Sequence, residues 1–184
     1  MEQEKIRAAR DGDQAAIRWL IEAYQGSVYA LCYRMLGTPQ DAEDAAQEAL
    51  VRGINKLDSF DLARPLRPWL LRVTSNLCID RLRRRKVTVS LDDMGEDGAW
   101  EWKAGSDVTP EQQLVRKEQA EQVQELLALL NPVDRSVLTL FYWEGLSYAE
   151  ISEVTALTES AIKSRLYRTR RVLAGHLLEG RKDE

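Results

Sequence analysis

The stretch from Trp69 to Lys86, WLLRVTSNLCIDRLRRRK, constrains the fold of this chain more than any other segment. Wound as a helix, it separates apolar and small residues from polar ones. One side carries Leu70, Val73, Thr74 and Leu77, flanked by Leu71, Cys78 and Leu82; the other side carries Arg72, Asn76, Asp80 and Arg83. The pattern predicts an amphipathic helix that packs through one face and presents the other.

The same helix ends in a basic cluster, made up of Arg81, Arg83, Arg84, Arg85 and Lys86. The whole chain has a formal net charge of -4, so the cluster does not follow from a generally basic composition. Concentrated positive charge of this kind is typical of a phosphate-binding surface. A solvated helix end whose cations complement the helix dipole explains the cluster equally well at this point.

Length and composition limit the possible functions. The 184 residues suffice for one large domain or two small ones, and 44% hydrophobic with 30% charged residues is ordinary for globular protein. We expect the chain to stay in the cytoplasm, because it has neither a membrane-spanning apolar run nor the apolar segment of a signal peptide. Two cysteines in apolar helical patterns, Cys32 and Cys78, and one histidine, His176, cannot supply an ordinary zinc site. No metal, cofactor or disulfide is expected.

Capping residues divide the first part of the chain into helices. Asp13 is a plausible N-cap, and Gly26 is expected to separate a first helix from a second that stops at Gly37. Thr38 and Pro39 then occupy the favoured cap and first-turn positions of a third helix. Strand patterns are almost absent, so we predict an all-α fold.

The third predicted helix has two contrasting faces. Its inner face is built largely of small residues that allow close helix packing, Ala42, Ala46, Ala49, Leu50, Gly53 and Leu57. Its outer face is acidic and polar, with Asp41, Asp44, Gln47 and Glu48. A di-metal carboxylate enzyme is excluded, because bundles of that type need Glu-x-x-His pairs. A solvated face and a docking face for a basic partner both remain open.

Two segments lack helical periodicity. Residues 58–68 contain prolines at 65 and 68 and are expected to form an ordered, electropositive loop carrying Arg64 and Arg67. Residues 91–109 contain three glycines and many acids, which is typical of a flexible linker. We therefore expect two small domains, at 1–90 and 110–184, and a linker whose Trp100 and Trp102 contact a partner.

The last part of the chain has the pattern of a helix-turn-helix. Helices are predicted to begin at Pro110 and at Pro132, the second capped by Asn131 and ended by Gly145. Ser147 and Glu150 then form a capping box, and Thr158 caps a final helix. The outward face of that final helix carries Ser160, Lys163, Ser164, Tyr167 and Arg171, with Arg168 alongside. This favours DNA binding over a hairpin with a merely solvated basic face.

These motifs together resemble the extracytoplasmic-function group of bacterial RNA polymerase sigma factors. The resemblance covers nearly the whole chain, with its motifs in the family's order: YQGSVYALCYRMLG, DAEDAAQEAL, RPWLLRVTSNLCIDRLRRRK, LLNPVDRSVLTLFYWEGLSYAEISEV and ESAIKSRLYRTRRVL. The segments LCYRMLG, DSFD and SNLCIDR are most similar to the cell-envelope-stress subgroup.

The resemblance implies sigma region 2 at 1–90, region 4 at 110–184, and three functional surfaces. Docking onto core polymerase is implied for Asp41, Asp44, Gln47 and Glu48. Recognition and melting of the -10 promoter element is implied for Ser59, Phe60, Arg64, Trp69, Asn76, Asp80, Arg83 and Arg84. Recognition of the -35 element is implied for Ser160, Lys163, Ser164, Arg165, Tyr167, Arg168 and Arg171. The implied partners are core RNA polymerase, promoter DNA and an anti-sigma factor, often membrane-anchored; no catalytic residue or cofactor is implied.

Two other functions are consistent with part of the pattern. A stand-alone helix-turn-helix regulator explains residues 131–178 but leaves the acidic helix without a role, and a protein-only adaptor would not bind DNA. We also expect the free chain to close weakly and in a salt-sensitive way, because residues 87–125 carry ten acids that can attract the two basic helices.

Overall fold

The computed structural model describes residues 2–88 and 110–180, and the regular structure in these ranges is helical. The elements are α1 (Glu2–Arg10), α2 (Gln14–Leu36), α3 (Pro39–Asn55), a 3-10 turn (Leu57–Ser59), α4 (Leu66–Thr88), α5 (Pro110–Ala128), α6 (Pro132–Tyr142), α7 (Tyr148–Thr155) and α8 (Glu159–Gly180). The all-α prediction is confirmed. The predicted linker at 91–109, with Trp100 and Trp102, lies outside the described residues.

The predicted caps are present. The Asp13 side chain accepts a hydrogen bond from the Ala16 N–H at 2.8 Å, and Gly37 ends α2 in the left-handed conformation with φ 89°. Thr38, Asn131 and Thr158 each accept from a backbone N–H in the first turn of the following helix. The Ser147–Glu150 capping box forms in both directions. Local side-chain chemistry therefore sets most of the helix starts.

Two predicted boundaries are wrong, and one helix was not predicted. α2 runs without interruption through Gly26, because buried residues on both sides outweigh the roughly 1 kcal/mol that an interior glycine costs. α4 begins at Leu66, so Arg67 and Pro68 lie in its first turn, where proline is tolerated. α1 was not predicted, although Glu2–Arg10 has acids in its first turn and arginines in its last.

The small residues of α3 bring it close to α4, as predicted. A Cβ added at Gly53 would lie 2.6 Å from Cδ1 of Leu70, and Ala45 and Ala49 are fully buried. α2 completes this three-helix core. Cys32 and Cys78 meet inside it as free thiols, their sulfurs 3.7 Å apart. The contact with Cys78 and burial raise the pKa of the Cys32 thiol, which therefore stays neutral.

The two halves of the chain share one hydrophobic core. α4 packs against α6 and α7, and α2 packs against α6. Buried residues from both halves belong to a single cluster, including Leu31, Cys78, Val137, Ile151 and Ile162. The closure that we expected from surface charges is therefore made, in the described residues, by direct helix packing. None of the described helices is long and apolar enough to cross a membrane.

Candidate polymerase and nucleic-acid interfaces

The acidic face of α3 is divided by the basic end of α4. Arg85 pairs with Asp41 at 2.5 Å, and Arg81 and Arg52 each pair with Glu48 at 2.5 Å. The hydrogen bond from Arg81 lowers the pKa of the Glu48 carboxyl. Burial opposes the charged form of Asp41, but hydrogen bonds from Arg85 and Thr38 still lower its pKa below the ordinary value. These two carboxylates are therefore ionised and already engaged.

The rest of the acidic face stays available. Asp44 and Gln47 are exposed, and neither forms an ion pair or a side-chain hydrogen bond in the described part of the chain. The four residues predicted to dock polymerase thus separate into an internal pair, Asp41 and Glu48, and an outward pair, Asp44 and Gln47. An approaching basic partner would meet the outward pair first.

The loop between α3 and α4 presents some of its predicted -10 residues and buries one. Ser59 and Arg64 are exposed, whereas Phe60 is only 4% exposed and lies against the half-buried Trp69, ring centroids 5.2 Å apart. Phe60, which the resemblance assigns to the -10 surface, is therefore buried in this arrangement, and its role in DNA recognition stays a prediction. An aromatic ring with an apolar pocket available gains more by burial than by exposure. Phe60 anchors the loop.

The outward face of α4 follows the sequence pattern. Asn76, Asp80, Arg83 and Arg84 are exposed, while Leu70, Leu71, Thr74, Leu77 and Cys78 are buried. Of the basic cluster at its end, Arg81 and Arg85 turn toward α3. Two arginines of the basic cluster therefore stabilise the contact between α3 and α4. Asn76, Asp80 and Arg83 form an exposed polar stripe on α4.

α7 and α8 form the predicted helix-turn-helix. α7 ends at Thr155 and is capped by Ala156, whose φ of 58° is left-handed; Thr158 then caps α8. Ile162, Leu166 and Thr169 are buried against α6 and α7. The inward face of α8 is thus held rigidly, which fixes the direction of the side chains on its outward face.

The outward face of α8 carries the predicted recognition residues. Lys163, Ser164, Tyr167 and Arg168 line one shallow concavity, and Tyr167 is 61% exposed. Ser160 and Arg171 are exposed at either side of it. Arg165 differs, because it pairs with Asp134 of α6 at 2.5 Å and is only partly exposed. Arg165 therefore ties α8 to α6 in this arrangement rather than pointing outward.

Comparison with known proteins gives the family. Residues 20–88 match the family Sigma-70 region 2, and residues 120–173 match Sigma-70, region 4. The ECF RNA polymerase sigma factor SigW of Bacillus subtilis is 35% identical over 181 residues, covering 96% of this chain and 97% of that protein. The chain belongs to the ECF RNA polymerase sigma factors. It is a promoter-directing sigma factor, and its matched regions contain the α3–α4 surface and the helix-turn-helix.

Solved sigma factors have the same fold. CnrH, in a structure of its complex with the cytosolic domain of CnrY, superposes with a TM-score of 0.69 at 26% identity, covering 96% of both chains. CnrH of Cupriavidus metallidurans is also a sequence relative, 31% identical over 173 residues, covering 92% of this chain and 90% of that protein. RpoE of Bartonella quintana, solved with the anti-sigma factor NepR, has a TM-score of 0.66 at 21% identity, covering 87% of this chain and 95% of that one.

The sigma factor also holds its two regions together through polar contacts that the sequence did not indicate. Arg135 donates to the Met35 carbonyl at 2.6 Å, and the fully buried hydroxyls of Ser75 and Ser136 are 2.6 Å apart. Burial lowers the pKa of Arg135. The only local signal was the position of Met35 in the last turn of α2, where helix carbonyls lack partners and attract cations.

Proposed function

We propose that this sigma factor docks onto core RNA polymerase through Asp44 and Gln47, supported by Asp41 and Glu48. It reads the -10 element with the 58–68 loop and the Asn76, Asp80 and Arg83 face of α4, and the -35 element with the outward face of α8. The observation that carries the proposal is the division of α8, whose inward side is packed while Lys163, Ser164, Tyr167 and Arg168 share one open concavity.

The chemistry of α8 suits a DNA major groove. Arginine and lysine donate to guanine O6 and N7, and serine and tyrosine hydroxyls exchange hydrogen bonds with base edges or phosphates. Lys163 lies with its ammonium 5.1 Å from the centre of the Tyr148 ring, so α7 helps to orient it. We assign Lys163 and Arg168 to base contacts and Arg171 to phosphate contact.

The loop and α4 suit a single-stranded target. Melting a promoter requires a base to leave the stack, which costs a few kcal/mol and must be offset by a protein surface that holds the base. Ser59 and Arg64 are exposed on the loop, and Asn76 is exposed on the adjoining helix. These groups provide hydrogen bonds and a cation next to the packed rings of Phe60 and Trp69.

Domain boundaries and division of labour follow from this assignment. Region 2 occupies residues 1–90, a linker 91–109, and region 4 residues 110–184. Catalysis is left to the polymerase, so the sigma factor requires no cofactor and acts in the cytoplasm, where core polymerase is found. Holding two weak DNA-reading surfaces on one polymerase raises their effective concentration, so each gains affinity and specificity from the other.

The packed arrangement of the two regions bears on regulation. Arg64 of the loop pairs with Glu153 of α7 at 3.4 Å, and α7 lies against α4. Region 4 therefore covers part of the -10 surface, and promoter binding requires the regions to separate. Because the CnrH structure holds the cytosolic domain of CnrY and matches 96% of this chain, we include an anti-sigma factor among the partners.

Co-purification with core polymerase tests the docking assignment. Asp44→Lys reverses an exposed charge that has no ion pair in the described residues, so it should abolish polymerase binding while leaving the melting temperature nearly unchanged. Glu22→Lys, which makes the same charge change on an exposed position of α2, is the matched control and should bind normally. Equal binding by both variants would refute the docking assignment. Tight binding to duplex DNA without polymerase would instead favour a stand-alone regulator.

A further inference from the structure

The N-terminal helix α1 lies outside the residues that match Sigma-70 region 2, which begin at residue 20, yet it packs against the -10 loop. Ile6 and Ala9 of α1 are 2% and 4% exposed. They share a small core, separate from the main core of the protein, with Leu57 and Phe60 of the loop, Leu66 at the start of α4, and Ala16 and Leu20 of α2. The inner side of the loop therefore packs on α1 together with the first half of α2.

Hydrogen bonds from α1 hold the loop backbone as well. Arg10 donates from Nη2 to the Phe60 carbonyl at 2.6 Å, and Gln3 donates from its amide to the Leu62 carbonyl at 3.2 Å. Between these two carbonyls, the Asp61 side chain accepts from the Ala63 N–H at 2.9 Å and tightens the turn. The backbone from Phe60 to Ala63 is thus fixed on one side by α1 and on the other by its own aspartate.

This bracing determines which side chains the loop can present. With Phe60 turned inward and its carbonyl occupied, Ser59, Asp61 and Arg64 are left on the exposed side. A site that captures a flipped base must hold its hydrogen-bonding groups in place before the base arrives, because disorder in the site lowers both affinity and discrimination. A loop of this length without support would lose that order.

We propose that α1 is the positioning element of the -10 loop and that Arg10 is its main positioning residue, acting through the Phe60 carbonyl rather than touching DNA. The inference rests on the proposed role of the loop in -10 recognition. It adds residues 2–10 to the promoter-reading apparatus and names Asp61, which sequence reasoning did not select, as a base-facing residue.

The chemistry of Arg10 separates positioning from simple stabilisation. Its Nε is buried and has no hydrogen-bond partner among the described residues. Removing the guanidinium therefore eliminates one unsatisfied donor while leaving the Phe60 carbonyl unpaired. Losing the unsatisfied donor should stabilise the fold, and losing the partner of the Phe60 carbonyl should destabilise it. The free energy of unfolding should therefore change little, while the loop backbone loses its support.

The test uses holoenzyme assembled from the full chain and core polymerase. Its probe is a promoter fragment whose -10 non-template strand is single-stranded and carries each of the four bases in turn at the flipped position. Arg10→Met should reduce discrimination between the preferred base and the others by about five- to tenfold, the order expected for one oriented hydrogen bond. Arg10→Lys should restore part of it. Arg7→Met, at an exposed position of the same helix, is the matched control and should discriminate normally.

Three further variants keep the outcome decisive. Gln3→Ala changes an exposed residue, so it should leave the fold intact, and it should weaken discrimination in the same direction but less. A uniform loss of affinity for all four templates, in step with a lower melting temperature, would overturn the inference and leave α1 as a stabilising helix.

Asp61→Asn and Arg64→Ala test the loop itself. If they change discrimination and the α1 variants do not, only the α1 inference fails; if they have no effect, the -10 assignment fails.

Discussion

Arg67 and Glu144 join the two regions across 77 positions of sequence. Nη2 of Arg67 donates to Oε2 of Glu144 at 2.6 Å, and Nη1 donates to its backbone carbonyl at 3.0 Å. Ser27 donates to the same carboxylate oxygen at 3.0 Å, and the Glu144 side chain is only 4% exposed. Arg34 adds a weaker ion pair at 3.9 Å and lies over the Trp143 ring. A single buried carboxylate thus gathers three groups from region 2.

Neutralising Glu144 should loosen the contact between the regions. Hydrogen bonds to a charged partner are worth about 1.5–3 kcal/mol, so Glu144→Gln should lower the stability of the packed arrangement by about that amount. The exposed pair of Arg64 with Glu153 is worth about 0–1 kcal/mol, so Glu153→Gln is the matched control. Distances between spin labels at Ser59 and Ser160 should broaden and lengthen for Glu144→Gln alone. Equal distributions in both variants would contradict this.

The salt response of the same label pair separates direct packing from surface attraction. Buried contacts are screened much less than exposed charges, so the wild-type distance should stay unchanged when salt is raised from about 0.1 to 0.5 M. A distribution that opens steadily with salt would show that surface charges hold the regions together, as the sequence alone led us to expect.

The buried hydroxyl pair of Ser75 and Ser136 offers a second test of the contact. Ser136→Ala leaves the Ser75 hydroxyl without its partner in a fully buried place and should cost about 1–3 kcal/mol. Replacing both serines by alanine should cost less than the sum of the single changes, because neither polar group is then left unpaired. Chemical denaturation of the four proteins measures the coupling; strictly additive costs would mean that the hydroxyls do not interact.

Two glycines distinguish close packing from helix propensity. Alanine is favoured over glycine by about 1 kcal/mol inside a helix, so Gly26→Ala, with no atom near its added Cβ, should stabilise the protein. Gly53→Ala forces the buried Leu70 side chain to move and should be net destabilising by about 1 kcal/mol or more. Thermal unfolding measures both. A stabilising Gly53→Ala would show that α3 and α4 are less closely packed than described.

The sequence predicted features that depend on residues close together in the chain and missed those that depend on contacts between distant segments. Asp13, Thr38 and Ser147 cap the first turns of the helices that follow them, so the sequence alone predicted these helix starts. The buried and exposed faces of α4 and α8 were predicted for the same reason, because they follow from the helical spacing of apolar residues. The burial of Phe60 was not predicted, because it depends on packing against α1. Arg10 of that helix bonds the Phe60 carbonyl from 50 positions away in the sequence.

Helix α1 and the contact between the two regions were also not predicted, because both depend on packing between distant segments. α1 has only nine residues and two buried side chains, and a helix of that length depends on packing rather than on its own propensity. Glu144 lies in a turn, where an acid is ordinary, and only the folded chain brings Arg67 to it. The acidic face of α3 was predicted as a whole, but the arginines that divide it come from α4.

The ion pair of Asp41 with Arg85 should appear in the pH dependence of stability. The folded-state pKa of Asp41 lies below its ordinary value of about 3.9, so the unfolded chain binds the proton more readily. Its contribution, up to about 1 kcal/mol, is fully present above that value and is lost as pH falls through the folded-state pKa. Asp41→Asn should therefore be less stable than wild type at neutral pH and should converge with it in acid. Asp44→Asn, which removes an exposed carboxylate of the same helix, is the control and should differ little from wild type in stability at neutral pH.

Run-off transcription with purified core polymerase on fragmented genomic DNA tests the central claim most directly, since it asks whether this chain confers promoter choice. Adding the protein should produce discrete new start sites. On a promoter found in this way, Lys163→Ala and Arg168→Ala should each reduce transcription by the equivalent of about 1–3 kcal/mol, and scrambling the -35 element should remove that difference. An absence of protein-dependent transcripts would contradict the account, and equal losses on intact and scrambled templates would contradict base reading by α8.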